Sequence, residues 1–346
     1  YFCFMIDHHQ FIKGRGSQFN IPNKFLKNHY SQEFPEGIDE PMNENTVTQF
    51  LIENPKKIVN KVDSPDIGLA YSINPYQGCE HGCVYCYARN SHQYWGFSAG
   101  LDFEKKIIVK QNAPELLEVA LAHPNWKPEA IMLSGNTDCY QPAERKFELT
   151  RRMLEILLKY KHPVGIITKN SLILRDLDII KELATLNLIW VSISVTTLNE
   201  SIRQKLEPRT ASVNQRLKVI EALSAVGVPV NVMIAPIIPG LTNQEIPAIM
   251  KATSEAGAIS AGYTVVRLNG VIGDIFEDWI RKAFPDRAEK VLNQIRECHG
   301  GQLNDSRFGA RMRGDGKIAE NIAGMFKTFY KKYYPCLLYT SPSPRD

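Results

Sequence analysis

The chain has 346 residues, of which 44% are hydrophobic, 23% charged and 10% aromatic, and this composition excludes collagen-like, low-complexity and largely disordered proteins. Its 41 basic and 37 acidic residues leave a net charge of +4, which is compatible with an acidic partner and does not by itself predict one. No apolar run approaches the roughly 18 residues that span a bilayer, and the short apolar start before Asp7 is not typical of a secretory signal. The sequence therefore predicts a cytoplasmic protein without a membrane partner.

Short apolar runs begin after residue 65 and alternate with amphipathic stretches, so we expect an irregular N-terminal arm over residues 1–65. Six of these runs are bounded by turn residues and are too short for buried helices, which predicts β-strands. The predicted strands cover residues 69–74, 130–134, 163–168, 188–195, 228–235 and 260–268.

Between the strands, apolar residues recur at spacings typical of helices. One helix with a single buried face is predicted by Ala143, Phe147, Thr150, Leu154 and Leu158. A second helix is predicted over residues 213–226, because Ser212 and Gln215 have the spacing of a capping box. Thr242 and Glu245 have the same spacing and predict a third helix.

Six strands alternating with helices predict a parallel sheet in an α/β protein, and right-handed crossovers favour an open or closed β/α barrel. Chemistry in such a barrel gathers at the C-terminal ends of the strands. We expect the core domain over residues 66–270 and a helical extension, with glycines and arginines, over residues 271–335. Residues 336–346 differ from everything before them and are expected to be a non-native or disordered tail.

Three of the seven cysteines lie within eight positions, directly after the first predicted strand. Cys79, Cys83 and Cys86 form a C-x3-C-x2-C pattern on residues 79–86, here called the cysteine loop. Thiolates are soft ligands that suit an iron–sulfur cluster or zinc. A [4Fe–4S] cluster that is held by three cysteines leaves one iron open to a cofactor or substrate.

Two alternatives remain for the cysteine loop. Zinc takes four ligands in a closed structural site, and His81 could complete the set. Zinc sites usually combine two distant cysteine pairs, however, and here every ligand would crowd one loop. The other alternative is buried, inert cysteines, against which the neighbours Gly78, Glu80 and Gly82 favour an exposed loop.

The cysteine loop, with the aromatic Tyr85 before its last cysteine, resembles that of the radical S-adenosylmethionine (radical SAM) superfamily. Further segments resemble the branch related to spore photoproduct lyase and its DNA-repair-photolyase-like bacterial relatives. They are SGNTDCYQP at residues 134–142, ITKN at 167–170, LEPRTAS at 206–212 and APIIPGL at 235–241. The resemblance covers about residues 20–326 and implies a partial (β/α)6, TIM-like barrel of the radical SAM type.

The resemblance also implies a chemistry. In this superfamily the open iron of a [4Fe–4S] cluster binds S-adenosylmethionine (SAM), and an electron from the reduced cluster cleaves SAM to methionine and a 5′-deoxyadenosyl radical. An electron donor such as flavodoxin or ferredoxin is implied. By analogy with the lyase the substrate is a nucleic-acid base, and a protein side chain or small metabolite is the alternative. Outside enzymes, the alternative is a zinc-stabilised binding protein without turnover.

The resemblance implies cofactor-binding roles for five residues near the strand ends. Ser134, Gly135 and Asn136 end the second strand, where the family receives the methionine amino group; the alternative is a plain turn. Lys169 follows the third strand and suits the cofactor carboxylate, unless it is a solvated loop lysine. Tyr85 is the candidate partner of the adenine.

The remaining candidate site residues have less specific sequence signals. Ser192 and Ser194 alternate along the fourth strand and face the same side, where one could bind the cofactor unless both are packed strand serines. Arg209 could pair with the cofactor carboxylate or with a substrate anion. Cys139 is a candidate hydrogen-atom donor to a substrate radical, with Tyr140 following in a relay; a thiol that only lines the pocket is the alternative.

Basic residues near the end of the chain are the candidate nucleic-acid contacts. Arg307, Arg311 and Arg313 lie among glycines, an arrangement that suits either phosphate contacts or a solvated loop. No recognisable nucleic-acid-binding module accompanies them, so contact with nucleic acid is an expectation that the sequence leaves open.

Overall fold

A computed structural model describes residues 11–26, 47–66 and 68–335. The strands of these residues are β1 (Gln49–Glu53), β2 (Val59–Lys61), β3 (Tyr71–Ile73), β4 (Tyr76–Gln77), β5 (Lys106–Lys110), β6 (Ile131–Leu133), β7 (Val164–Thr168), β8 (Ile189–Ser194), β9 (Val230–Ile237) and β10 (Ser260–Val265). The helices are α1 (Arg89–His92), α2 (Leu101–Lys105), α3 (Ala113–Leu121), α4 (Glu144–Phe147), α5 (Leu149–Lys159), α6 (Leu177–Thr185), α7 (Glu200–Leu206), α8 (Val213–Ala225), α9 (Ile246–Glu255), α10 (Ile272–Ala283), α11 (Ala288–Cys298) and α12 (Gly316–Tyr333). The predicted tail over residues 336–346 lies outside the described residues, as does much of the predicted arm.

The main sheet has the strand order β10-β9-β8-β7-β6-β3-β2. Its strands β3 and β6 to β10 are mutually parallel, and β2 pairs antiparallel with β3. These six parallel strands lie at the six predicted positions, so the prediction of a parallel α/β sheet is confirmed. Inward residues such as Ile131, Val164 and Val191 are fully buried because helices cover the sheet. The C-terminal ends of the parallel strands therefore meet at one edge.

The helix predicted from residue 143 to 158 is in fact two helices, α4 and α5. Glu148 separates them with a left-handed backbone (φ 50°). The cause is the buried carboxylate of Glu144, which accepts hydrogen bonds from the backbone of Thr150 at 3.1 Å and caps the start of α5. A spacing pattern cannot show such a break, because the apolar face continues across it.

The two predicted capping boxes have different outcomes. Ser212 and Gln215 form a capping box at the start of α8, as predicted. The third predicted helix is present as α9. Its predicted capping box is wrong, since a 3-10 turn precedes α9 and Thr242 makes no side-chain cap. The carboxylate of Glu245 instead accepts a hydrogen bond from Thr197 at 2.7 Å and joins α9 to the loop after β8.

A second, three-stranded sheet has the order β1-β5-β4. Strand β1 runs parallel to β5, and β4 runs antiparallel to it. The expectation of irregular structure before residue 65 is therefore wrong for β1 and β2. Buried Ile107 and Val109 of β5 pack around Tyr76 of β4, and β4 leads directly into the cysteine loop.

The helices α10, α11 and α12 follow the last strand of the barrel. Helix α12 returns to the barrel, where the Phe326 and Tyr263 rings lie 4.4 Å apart between centroids. The Tyr334 hydroxyl lies 2.8 Å from the Thr253 hydroxyl of α9. Within the described residues, none of the helices is both long and apolar enough to cross a membrane.

Candidate functional site

The cysteine loop is fixed by backbone hydrogen bonds on both sides. The Cys79 N–H donates to the Phe103 carbonyl of α2 at 2.9 Å, and the Val84 N–H donates to the Leu206 carbonyl of α7 at 3.2 Å. The expectation of an exposed loop is wrong, since Glu80 and His81 are at most 4% exposed. The loop is buried because α2, α7 and the segment around Gly16 lie against it.

The three predicted ligands carry free thiols on this buried loop. Burial raises the pKa of all three thiols, and the charges of Asp138, Cys83 and Cys86 raise the pKa of Cys79 further. Three neighbouring thiols in such a place become thiolates together only when a cation binds them. The donor set therefore fits an iron–sulfur cluster, which supplies that charge.

His81, the fourth ligand in the zinc alternative, already uses both ring nitrogens. Its Nδ1 lies 3.3 Å from a carboxylate oxygen of Asp138, and its Nε2 lies 3.1 Å from the Asn170 side-chain nitrogen. This geometry argues against a closed zinc site.

Asp138, which the sequence analysis did not single out, joins three elements at the edge of the barrel. Its carboxylate accepts hydrogen bonds from the Thr168 hydroxyl and the Lys169 N–H, both at 2.8 Å, and pairs with His81. Burial opposes its charge, yet His81 and the backbone donors lower the pKa of Asp138. The ends of β6 and β7 are thereby held against the cysteine loop.

The turn after β6 contains Ser134 and Gly135, which contact other parts of the chain. Ser134 has a left-handed backbone (φ 76°), uncommon for this residue type, and its hydroxyl accepts from the Cys139 N–H at 2.7 Å. A Cβ at Gly135 would lie 2.7 Å from Ser72 Cβ, so only glycine fits there. The Gly135 carbonyl accepts a hydrogen bond from the Tyr87 hydroxyl. The predicted turn thus meets the residue that follows the cysteine loop.

Asn136 belongs to the same turn and is held by side chains from the start of the barrel. Its N–H donates to the Asn74 side chain at 2.6 Å, and its side-chain nitrogen donates to Gln77 at 3.0 Å and Ser91 at 3.2 Å. The three residues predicted at the end of β6 are therefore ordered by hydrogen bonds.

Lys169 and Tyr85, two candidate cofactor-binding residues, lie close together. The Lys169 ammonium is 6.0 Å from the centroid of the Tyr85 ring, and no carboxylate of the described residues lies within ion-pair distance of it. The Tyr85 hydroxyl donates to Glu207, whose carboxylate is 2.5 Å from Arg216. Burial opposes the charge of Glu207, but Arg216 and Lys169 lower its pKa to about 2.

Ser192 and Ser194 are both buried on β8. The Ser192 hydroxyl accepts a hydrogen bond from the Asn231 side chain of β9 at 3.2 Å. The Ser194 carbonyl accepts from Arg216 at 2.9 Å. Their role toward a cofactor stays a prediction.

Cys139 and Tyr140 are fully buried. Cys139 lies beside the turn after β6, where its backbone is bound by Ser134 and Thr150. The Tyr140 hydroxyl donates to Asp176, the residue before α6, at 3.1 Å. Their predicted role as a hydrogen-atom relay stays a prediction.

The predicted nucleic-acid contacts carry little free charge. Arg307 lies 2.6 Å from both Asp305 and Asp315, and Arg311 pairs with Asp66. The Arg313 guanidinium lies 4.1 Å from the centroid of the Tyr263 ring. Because two of these arginines are already neutralised, the segment offers less attraction for phosphates than its sequence suggests.

Buried charged residues were missed in the sequence analysis. Asp138, Glu207, Arg216, Arg89 and Glu104 are all buried or nearly so. One signal was available for Asp138 alone, because it follows the end of a predicted barrel strand. The other four residues have no sequence spacing that would predict their burial.

The chain is similar to proteins of known family and fold. The radical SAM superfamily matches residues 73–253, more than half of the chain. A Mycobacterium tuberculosis protein, named only as uncharacterised, is 32% identical over 247 residues, which cover 70% of this chain and 72% of that protein. An uncharacterised Methanocaldococcus jannaschii protein is 28% identical over 250 residues, which cover 72% of this chain and 89% of that protein.

Solved structures of spore photoproduct lyase have the same fold. A mutant of the lyase aligns with a TM-score of 0.61, and its complex with dinucleoside spore photoproduct aligns with 0.60. Each is 13% identical, and each alignment covers 83% of this chain and 80% of the lyase. This likeness and the sheet described above confirm the partial barrel of the radical SAM type. The chain belongs to the radical SAM superfamily.

Proposed function

We propose that the chain is an enzyme that holds a [4Fe–4S] cluster through Cys79, Cys83 and Cys86 and reductively cleaves SAM. The observation that carries the proposal is the set of three free thiols on one loop, of which Cys79 and Cys83 are buried and Cys86 is partly buried. Their burial makes the free thiolates unfavourable, and the irons of a cluster would compensate for that cost. With three ligands, one iron is left for SAM, which would supply a 5′-deoxyadenosyl radical when the cluster is reduced.

The residues at the strand ends would bind and orient SAM. The Gly135 carbonyl and the neighbouring Asn136 would receive the methionine amino group, and the Lys169 ammonium would pair with the carboxylate. Tyr85 would lie against the adenine, with its hydroxyl held by Glu207. Ser192, Ser194 and Arg209 remain further candidates for the same cofactor.

The substrate would be a modified or damaged nucleic-acid base. Support comes from the fold shared with spore photoproduct lyase, whose complex holds a dinucleoside photoproduct. Cys139 would return a hydrogen atom to the substrate radical, with Tyr140 next to it in the chain. A flavodoxin or ferredoxin in a reducing cytoplasm would deliver the electron. A protein side chain or small metabolite is the alternative substrate.

The experiment is anaerobic reconstitution with iron and sulfide, followed by reduction with dithionite in the presence of SAM. We expect brown protein and the formation of 5′-deoxyadenosine and methionine, quantified by liquid chromatography and mass spectrometry. Cys83→Ala should abolish both the colour and the products. Cys298→Ala is the matched control, since Cys298 is equally buried but lies on α11 outside the loop.

Colourless protein with stoichiometric zinc would contradict the proposal and favour the binding protein without turnover. Full deoxyadenosine formation by Cys83→Ala would also contradict it, because that cysteine would then not be a ligand.

A further inference from the structure

Asp138 begins a short segment that contacts the cysteine loop through two side chains. Its carboxylate oxygen Oδ2 lies 3.3 Å from the His81 Nδ1. Three residues later, the Gln141 side chain accepts from the Glu80 N–H at 3.0 Å and donates to the Gly78 carbonyl at 3.1 Å. The segment therefore holds the stretch between the first and second cysteines of the loop.

The other side-chain contacts of Asp138 are with the end of β7. Its Oδ1 accepts from the Thr168 hydroxyl at 2.8 Å, and its Oδ2 accepts from the Lys169 N–H at 2.8 Å. The Lys169 carbonyl accepts in turn from the Ala211 N–H at 3.1 Å. The backbone of Lys169 is thus bound on both sides, and one carboxylate links it to the loop that carries the candidate cluster ligands.

The surroundings of Asp138 require a carboxylate rather than an amide. The Tyr140 N–H donates to Oδ1 at 2.9 Å, in addition to the donors Thr168 and Lys169 at the end of β7. An asparagine would offer one acceptor oxygen, and its side-chain N–H groups would face a donor on the other side. A buried polar group that loses its partner is costly. The donors therefore favour the charged carboxylate, although it is nearly buried.

The negative charge of Asp138 also reaches the candidate ligands. Burial raises the pKa of the Cys79 thiol, and the charge of Asp138 raises it further. The same charge would act on a cluster bound at this loop. Reduction adds an electron to the cluster, and a nearby anion makes that addition less favourable. Loss of the Asp138 charge should therefore make the reduction potential less negative.

We propose that Asp138 is a positioning residue, which holds the cysteine loop against Lys169 and lowers the reduction potential of the cluster. Residues behind the ligands of a metal site commonly orient those ligands and tune the metal. This role rests on the proposed function, since it requires that the loop binds the cluster and that Lys169 binds SAM. Because both depend on the same carboxylate, one substitution should change the potential and the affinity for SAM together.

The first measurement is a redox titration of the reconstituted full chain without SAM, followed by electron paramagnetic resonance. Asp138→Asn removes the charge at nearly the same volume, and Asp138→Glu keeps it. The matched control is Asp176→Asn, because Asp176 is a fully buried aspartate that pairs with Arg151 and Arg175 outside the loop.

We expect the reduction equilibrium of Asp138→Asn to rise about tenfold, which is a shift of about 59 mV to less negative potential for one electron. Asp138→Glu and the Asp176→Asn control should stay near the potential of the wild type. A role in folding alone would not separate the two substitutions at residue 138 by their charge.

The second measurement is the Kd of SAM for the oxidised, cluster-loaded protein, by anaerobic calorimetry. Asp138→Asn and Asp138→Glu should each bind SAM about tenfold more weakly, because the Lys169 backbone loses its anchor. In the Lys169→Ala background, the further change Asp138→Asn should weaken SAM far less, since both residues act through one contact. The Asp176→Asn control should bind SAM like the wild type.

The third measurement needs no cluster. Alkylation of the cluster-free protein, followed by mass spectrometry, should label the three loop cysteines about tenfold faster in Asp138→Ala than in the wild type. The reason is that the loop is released from the end of β7 and opens more often. Labelling of Cys298 on α11 is the internal reference and should not change. Circular dichroism checks that each variant is folded.

A wild-type potential in Asp138→Asn would overturn the proposal, as would a shift of the same size in Asp176→Asn. Unchanged alkylation in Asp138→Ala would also overturn it, because the loop would then not depend on Asp138. If the wild type forms no cluster, the proposed function fails, and the alkylation rates alone decide whether Asp138 holds the loop.

Discussion

Arg89 is a buried cation that holds the cysteine loop in place, so its replacement should destabilise the loop. It is fully buried, and its guanidinium donates to the Cys83 carbonyl at 2.9 Å. It also donates to the Ala99 carbonyl at 3.1 Å and the Gly100 carbonyl at 3.0 Å, and pairs with Glu104 at 2.6 Å. One side chain thereby ties the middle cysteine to the start of α2.

The substitution Arg89→Met keeps much of the volume and removes every donor. It leaves a buried carboxylate on Glu104, which retains only its hydrogen bonds to the arm. Removing one partner of a buried ion pair costs about 3–5 kcal/mol of unfolding free energy. The double substitution Arg89→Met/Glu104→Met should recover part of this loss, because no charge then remains buried.

The assay is urea unfolding of the cluster-free protein, together with iron content after reconstitution. Arg281→Met is the control, since Arg281 pairs with Glu277 at 2.7 Å on the surface of α10 and should cost at most about 1 kcal/mol. We expect Arg89→Met to lose both stability and iron, and the control to lose neither. The reasoning is refuted if Arg89→Met is as stable as Arg281→Met and binds iron in full.

Three further substitutions test the site. Lys169→Ala should raise the KM for SAM about tenfold, because a charge-assisted hydrogen bond contributes about 1.5 kcal/mol or more; an unchanged KM in deoxyadenosine assays would remove Lys169 from the SAM site. Cys139→Ala should retain deoxyadenosine formation and stall or misdirect the product, and an unchanged product yield would exclude it as the hydrogen donor. Glu207→Leu should lower the free energy of unfolding in urea by about 3–5 kcal/mol, because Arg216 is left buried and unpaired. Glu200→Gln, at the half-exposed start of α7, is the control and should lower it far less.

The sequence was sufficient to predict the six parallel strands, because each is a short apolar run covered on both faces. It was not sufficient for β1, which pairs with β5 more than fifty positions later in the chain. Such pairing depends on contacts between residues that lie far apart in the sequence, so a short stretch of sequence cannot predict it. The break at Glu148 has the same origin, since the carboxylate that causes it also binds Tyr76 and Arg175 from distant segments.

The site was predictable where its chemistry lies in one short segment. The cysteine spacing is local and specific, so three candidate ligands could be named from the residues alone. Asp138, Glu207 and Arg89 were missed because single charged residues are usually exposed. Their burial results from partners that the fold brings together, and only the structure shows those partners.

Three cysteine ligands should leave one iron of a [4Fe–4S] cluster for SAM. Electron–nuclear double resonance on the reduced protein, with SAM labelled at its methionine nitrogen and carboxylate, tests it most directly. We predict hyperfine coupling of both labels to the cluster in the wild type and in Cys298→Ala. A reduced [4Fe–4S] signal without coupling to either label would contradict this prediction, because SAM would then not be bound to an iron of the cluster.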